Sequence, residues 1–153
     1  MADLLAGSVI RALDTPPTQP ATDNSDIINF TNTTFAAGSP VVGVAFTAPT
    51  SGRVLVLWRA RIEASTSGYA LISAAVRTGS TINAGTLVSA SSLDEALETG
   101  NLVAGQSRFQ AGTWRVVTGL TPGSAYNAVV EHIILTGGNG NIYTRAISVM
   151  PLA

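Results

Sequence analysis

The chain has no cysteine and no lysine, one histidine, and little charge of either sign. Without cysteine, disulfides, zinc–thiolate centres and cysteine nucleophiles are excluded. All eight basic residues are arginines, and they are scattered. With a net charge of −1, that spacing leaves no footprint for nucleic acid. Charged residues make up 11% of the chain, against about 25% in an ordinary soluble domain. The apolar fraction is 46% and the mean hydropathy is +0.34. A lone soluble monomer needs more surface charge, so part of its surface is expected to be covered, most simply by copies of itself. No apolar run approaches the roughly 20 residues of a membrane-spanning helix, so no membrane partner is expected. The start of the chain lacks the basic, long-apolar pattern of a signal peptide, and none is expected.

Two regions follow from the pattern of turns and apolar residues. Residues 1–28 read as an extended N-terminal arm. It carries a cluster of aliphatic residues, Leu4, Leu5, Val9, Ile10 and Leu13, then Thr15-Pro16-Pro17-Thr18-Gln19-Pro20. The prolines favour extended backbone and exclude a helix. A solvated tail and a docking arm both fit this composition. In the docking reading, Leu4, Leu5, Val9, Ile10, Leu13, Pro16 and Pro17 make the contacts. Thr22 to Asp26 reads as a polar joint.

Residues 29–153 read as a single β-sandwich of about eight strands. Strands are expected over 41–47, 53–63, 69–78, 86–90, 102–110, 113–118, 126–135 and 142–150. Along 53–63, Val54, Val56, Trp58, Ala60 and Ile62 share one face, while Leu55, Leu57, Arg59, Arg61 and Glu63 share the other. The first face reads as core; the second is half apolar and half charged. The 126–135 strand is apolar on both faces, as in a central strand or a subunit interface. Val129, Ile133 and Leu135 are the residues expected at such an interface. Ser92-Leu93-Asp94-Glu95 fits a capping box, so one or two helical turns are expected over 93–99, closed by Gly100. Ala111-Gly112 reads as a turn joining two strands, and 137–141 as a hairpin loop.

Candidate chemistry is thin. His132 is the sole histidine, and Glu131 beside it points to the opposite face of the same strand. Packing is the favoured role for His132. No Gly-x-Ser-x-Gly elbow occurs. Asp94, Glu95 and Glu98 read as a solvated cluster rather than a catalytic acid pair. Asp23, Asn24 and Asp26 are too few for a calcium site. The sequons at Asn29 and Asn32 read as incidental. No catalytic residue, metal or cofactor is expected.

The run Phe46-Thr47-Ala48-Pro49-Thr50-Ser51-Gly52-Arg53-Val54 resembles an entry into a long strand found in proteins of tailed phages that infect actinobacteria. Gly119-Leu120-Thr121-Pro122-Gly123-Ser124-Ala125-Tyr126 is similar to their later turn, and Ala6 to Asp14 to their start. Such proteins are minor capsid or minor tail components. The layout also resembles trimeric jelly rolls of the C1q and tumour-necrosis-factor type, though their aromatic signature is not matched. The resemblance implies a jelly-roll-like virion protein: a homotrimer on the capsid surface, bound by its arm to the major capsid protein. The alternative it implies is a tail-tip protein that binds a host glycan. Leu120-x-Pro-Gly-x-x-Tyr126 equally fits a tyrosine corner of the fibronectin kind, which leaves the strand order open between jelly roll and immunoglobulin-like.

Overall fold

A computed structural model describes residues 16–64, 68–99 and 108–153. Among the described residues there are eleven strands and no helix. They are β1 (Gln19–Asp23), β2 (Ile27–Phe30), β3 (Ala36–Ala37), β4 (Gly43–Thr47), β5 (Val54–Ala64), β6 (Tyr69–Thr78), β7 (Leu87–Ser89), β8 (Leu97–Thr99), β9 (Phe109–Val117), β10 (Ala125–Leu135) and β11 (Gly140–Pro151).

The strands form two antiparallel sheets. The first runs β1-β11-β5-β9, with β2 continuing the β1 edge along β11. The second runs β3-β10-β6-β7, with β4 beside β3 on β10 and β8 beside β7 on β6. When β1/β2, β3/β4 and β7/β8 are each counted as one broken strand, the eight resulting strands lie in the orders 1-8-3-6 and 2-7-4-5. This is the jelly-roll order, and it decides against the immunoglobulin-like alternative.

Alternation on β5 produces the core. Val56, Trp58, Ala60 and Ile62 are buried between the sheets against Ile72, Val76, Val130, Ile147 and Val149. The Trp58 indole N–H donates to the Ile72 carbonyl across the sandwich at 3.1 Å, so its one polar atom is satisfied. The two proline-containing turns pack against each other at one end. The Ala48 N–H donates to the Ser124 carbonyl at 2.9 Å and the Leu120 N–H to the Gly52 carbonyl at 3.0 Å. Gly52, at φ +65°, lies under Leu120; a Cβ there would meet its carbonyl oxygen at 2.5 Å. The Tyr126 hydroxyl accepts from the Thr121 N–H at 3.0 Å, which is the hydrogen bond of a tyrosine corner.

Four sequence expectations change. The arm does not extend to residue 28: β1 and β2 are edge strands of the first sheet, and Pro20 fits there because an edge strand leaves one N–H unpaired. Residues 109–117 form one continuous strand through Ala111-Gly112, because Gly112 lies opposite Arg59 in register. Over 93–99 there is a turn and then β8. The Ser92 hydroxyl accepts from Asp94 N–H, while Glu95 turns away to the buried Arg115 at 3.0 Å. That ion pair removes the carboxylate a capping box needs; Gly100 lies outside the described residues. Residues 137–141 are not a hairpin, since β10 and β11 belong to different sheets. Thr136, Gly137 and Gly138, all at positive φ, carry the chain across.

Two buried arginines close the open edges of the sandwich. Arg145, on β11, donates to Asp23 at 2.8 Å and to the Pro40 carbonyl at 3.0 Å. It thereby ties the β1 edge to the β3–β4 connection. Arg115, on β9, donates to the carbonyls of Ala90 at 2.7 Å and Ser89 at 3.3 Å and also to Ala74. It ties β9 to the β6/β7 edge.

Candidate functional site

The two outer faces of the sandwich are treated differently. The second sheet is covered by its own chain. Ile82 lies over Gly43 beside Val129: a Cβ on Gly43 would meet Ile82 Cγ2 at 2.8 Å and Val129 Cγ2 at 3.0 Å. Asn127 is fully buried. Its amide donates to the carbonyls of Gly79 and Ala84, each at 3.0 Å, and its Oδ1 accepts from the Asn83 N–H at 3.0 Å. Glu131 accepts from Arg77 at 2.8 Å and from the Ser91 hydroxyl at 2.7 Å. These bonds hold the 79–92 segment down. β10 is therefore buried on both faces within one chain, as a central strand.

The residues expected at a subunit interface lie under this cover or near it. Val129 has no accessible surface and Ile133 is buried, so neither can touch a second copy in this arrangement; Leu135 is half-buried. We expect Asn127→Ala to cost about 1–3 kcal/mol, because it leaves two carbonyls and one N–H of the covering segment unpaired. Urea denaturation measures the loss. Hydrogen exchange should quicken over 79–92 while β5 and β11 keep their protection.

Among the described residues, nothing covers the outer face of the first sheet. Its side chains fall in rows across β11, β5 and β9, set by register. Met150, Leu55 and Val116 form one row and Ser148, Leu57 and Trp114 the next. Ala146, Arg59 and Gly112 form a third. Trp114 is 60% exposed, and Val116 and Met150 are each 40% exposed. Gly112 contributes no side chain, so a groove of about 450 Å³ opens between Trp114, Arg59, Leu57 and Met150, with Thr18 at its rim. The expected half-apolar, half-charged face of β5 is thus split along its length, apolar at the Leu55 end and charged beyond Arg59.

At the charged end, an extra residue in β11 between Ile142 and Thr144 turns Tyr143 outward. Its hydroxyl donates to the Glu63 carboxylate, and the Arg108 guanidinium lies 4.0 Å from its ring centroid. The bond to Glu63, with burial, raises the Tyr143 pKa above its ordinary value. This cluster presents a polar rim to the apolar band.

The remaining candidates are dispersed. His132 faces the core, with its ring 4.5 Å from that of Phe30 in an edge-to-face contact. Asp94 lies on the turn before β8 and Glu98 on β8, which pairs with β6 in the second sheet. Asn32 is turned inward, donating to the carbonyls of His132 at 2.6 Å and Thr34 at 2.8 Å. Pro16 and Pro17 line a hollow at one end of the sandwich with Phe46, Val54, Val149 and Pro151. Leu4, Leu5, Val9, Ile10 and Leu13 lie outside the described residues. Among the described residues, no three His, Cys, Asp or Glu side chains gather as a metal site.

Trp114 is the functional candidate that the sequence pattern missed as a surface residue. The signal was present: it sits one residue from the inward Arg115, so alternation points it out. No protein-family model matches the chain, and no curated protein matches it in sequence. Among solved structures, the chain is similar to the C-terminal CBM6 of LamC, a marine laminarinase from Zobellia galactanivorans. The TM-score is 0.34 at 12% identity, over 86% of this chain and 98% of that one. At so low a score the likeness decides neither fold nor ligand; the β-sandwich rests on the strand order.

Proposed function

We propose that the protein is a structural, non-catalytic component of a tailed-phage virion. In this reading it is a homotrimeric decoration protein that binds and stabilises the capsid surface, fastened by its N-terminal arm. The observation that carries it is the contrast between the two outer faces. One face is sealed by the chain itself. The other presents Trp114, Val116 and Met150 to solvent on a molecule with little charge. An apolar band of that kind is an association surface. The turns that resemble those of phage proteins lie at the opposite pole from the charged cluster, where they buttress each other and leave the sheet face free. The test is co-sedimentation of the full chain with expanded, undecorated capsids of its own phage. Binding at the local threefold positions supports the reading, and a chain that stays in the supernatant overturns it.

A second reading, a tail-tip protein that binds a host glycan, is favoured by one observation: Trp114 offers an open indole face on which a sugar could stack. The groove beside it is mostly apolar, lined by Leu57, Ala146 and Met150, with Thr18, Arg59 and Ser148 as its polar side chains. Sugar recognition needs more polar partners than this, so a protein occupant fits better.

A further inference from the structure

We propose that the outer face of the first sheet receives the β7/β8 edge of a neighbouring copy of the same chain. The inference rests on the assembly reading above and names the contact that joins its copies.

Two exposed patches carry it. On the first sheet, Trp114, Val116 and Met150 stand out beside Leu55 and Leu57. On β7 and the turn that leads to β8, Leu87 and Leu93 are each 50% exposed and Val88 is 41% exposed. Each patch continues into charge, and the signs are opposite. Past Leu57 the first sheet carries Arg59 and Arg61, with Arg108 over the Tyr143 ring. Among the described residues none of these three arginines has an ion pair. The carboxylate on the same face of β5, Glu63, accepts from the Tyr143 hydroxyl. Past Leu93 the second patch carries Asp94 and Glu98, both exposed and, among the described residues, both without an ion pair. Glu95 between them is taken up by Arg115.

The patches match in length and in order. Leu55 to Arg61 is six residues along β5. Leu87 lies opposite Arg77 and Glu98 opposite Leu71, which is again six residues, along β6. At about 3.3 Å per residue each patch is about 20 Å long. Both run from an apolar end to a charged end. One relative direction therefore sets apolar on apolar and arginine against carboxylate together. The reverse direction sets guanidinium groups against Leu87 and Val88 and leaves the charges unmatched. Arg115 holds the second patch in place through the Ala90 and Ser89 carbonyls, so little ordering is left for the contact to impose.

A second copy is the partner because the two patches cannot meet within one sandwich. One lies on a sheet face and the other on an edge of the opposite sheet. The contact is heterologous, since the two surfaces differ. Such contacts close into rings, and a ring of three is the trimer. Each copy gives one edge and receives one. The contact needs no residue of the N-terminal arm, which stays available to the capsid.

Charge reversal and its rescue test this. Asp94→Arg with Glu98→Arg reverses one patch, and Arg59→Glu with Arg61→Glu reverses the other. Circular dichroism checks that each chain keeps its fold. By sedimentation at low salt, each reversal should raise the midpoint concentration of trimer assembly by at least about tenfold. The full chain carrying all four substitutions has its signs exchanged, and should assemble within about threefold of the native midpoint. Leu93→Ser removes an exposed apolar contact from a turn and should raise the midpoint about fivefold or more. Where a reversed chain loses its fold, Leu93→Ser carries the test. A native chain that stays monomeric overturns the proposal and leaves both patches to other partners. A native trimer that tolerates both reversals, or Leu93→Ser, overturns it while the assembly reading stands. So does a folded four-substitution chain that stays monomeric. These readouts use no capsids. Reversal and rescue in a chain that fails to co-sediment with capsids support this inference and overturn the virion reading.

Discussion

Replacing Arg145 with alanine should destabilise the fold by about 3–5 kcal/mol, the cost of breaking a buried ion pair from one side. The Arg145 side chain is 1% exposed and its partner Asp23 is 18% exposed. Loss of the guanidinium leaves the Asp23 carboxylate half out of water and the Pro40 carbonyl without its donor. Gly38 shows how closely the site is fitted, because a Cβ there would meet Arg145 Nη1 at 2.3 Å. Arg145→Met keeps most of the volume and should still lose the larger part, since charge compensation rather than packing is removed. Asp23→Asn should cost less, because that side chain is nearer water and an amide can still accept. Urea denaturation with far-ultraviolet circular dichroism gives the values. A loss below about 1 kcal/mol, ordinary for a surface pair, would show that the arginine does not hold the β1 edge to the β3–β4 connection.

The second large effect is acid destabilisation through His132. Burial against Phe30 lowers its pKa from 6.5 to about 4, aided by the positive charge of Arg145 and opposed by Glu131. The folded state disfavours the imidazolium and the unfolded state does not. The unfolded chain therefore binds more protons between pH 6.5 and about 4, and stability rises with pH across that window. Full stability is present above pH 6.5 and is lost as the pH falls toward 4. At about 1.36 kcal/mol per pKa unit the total is about 3 kcal/mol. Asp23, whose pKa is lowered chiefly by accepting the Ser25 N–H, adds a further loss below its ordinary value of 3.8. His132→Gln should flatten the pH 4–6.5 segment and leave the lower limb in place. Denaturation midpoints at half-unit steps of pH show this. A native profile that is flat from 7 to 4 would mean that the imidazole titrates freely.

The long strands were legible because their period is strict. Residues 69–78 were placed to the residue, and β5, β10 and β11 within one or two. Both proline-containing turns were legible from Ala48-Pro49 and Thr121-Pro122-Gly123. What failed did so for lack of a local signal. Gly112 looks like a turn until Arg59 is known to lie opposite it. Ser92-x-x-Glu95 looks like a capping box until the buried Arg115 claims the carboxylate. Double-sided burial of β10 was read correctly, yet Val129 and Ile133 suggested a partner chain because nothing in the sequence says that 79–92 folds back over them. The exposed face of the first sheet shows the converse error. Val54 to Glu63 showed its two faces plainly, but Trp114 and Met150 join the outer one only through strand register. That register depends on residues far apart in the chain.

Three of the four sheet edges, β1/β2, β3/β4 and β7/β8, are interrupted, which blunts them against strand addition, while β9 is a continuous edge strand.

The claim that most needs testing is that this domain works as an assembly through its bare sheet. Light scattering on the purified full chain, beside Trp114→Ser, tests it most directly. The expected result is a trimer mass for the native protein and a monomer for the variant, with unchanged circular dichroism in both. A native chain that is monomeric at micromolar concentration, or a Trp114→Ser variant that remains trimeric, would contradict it.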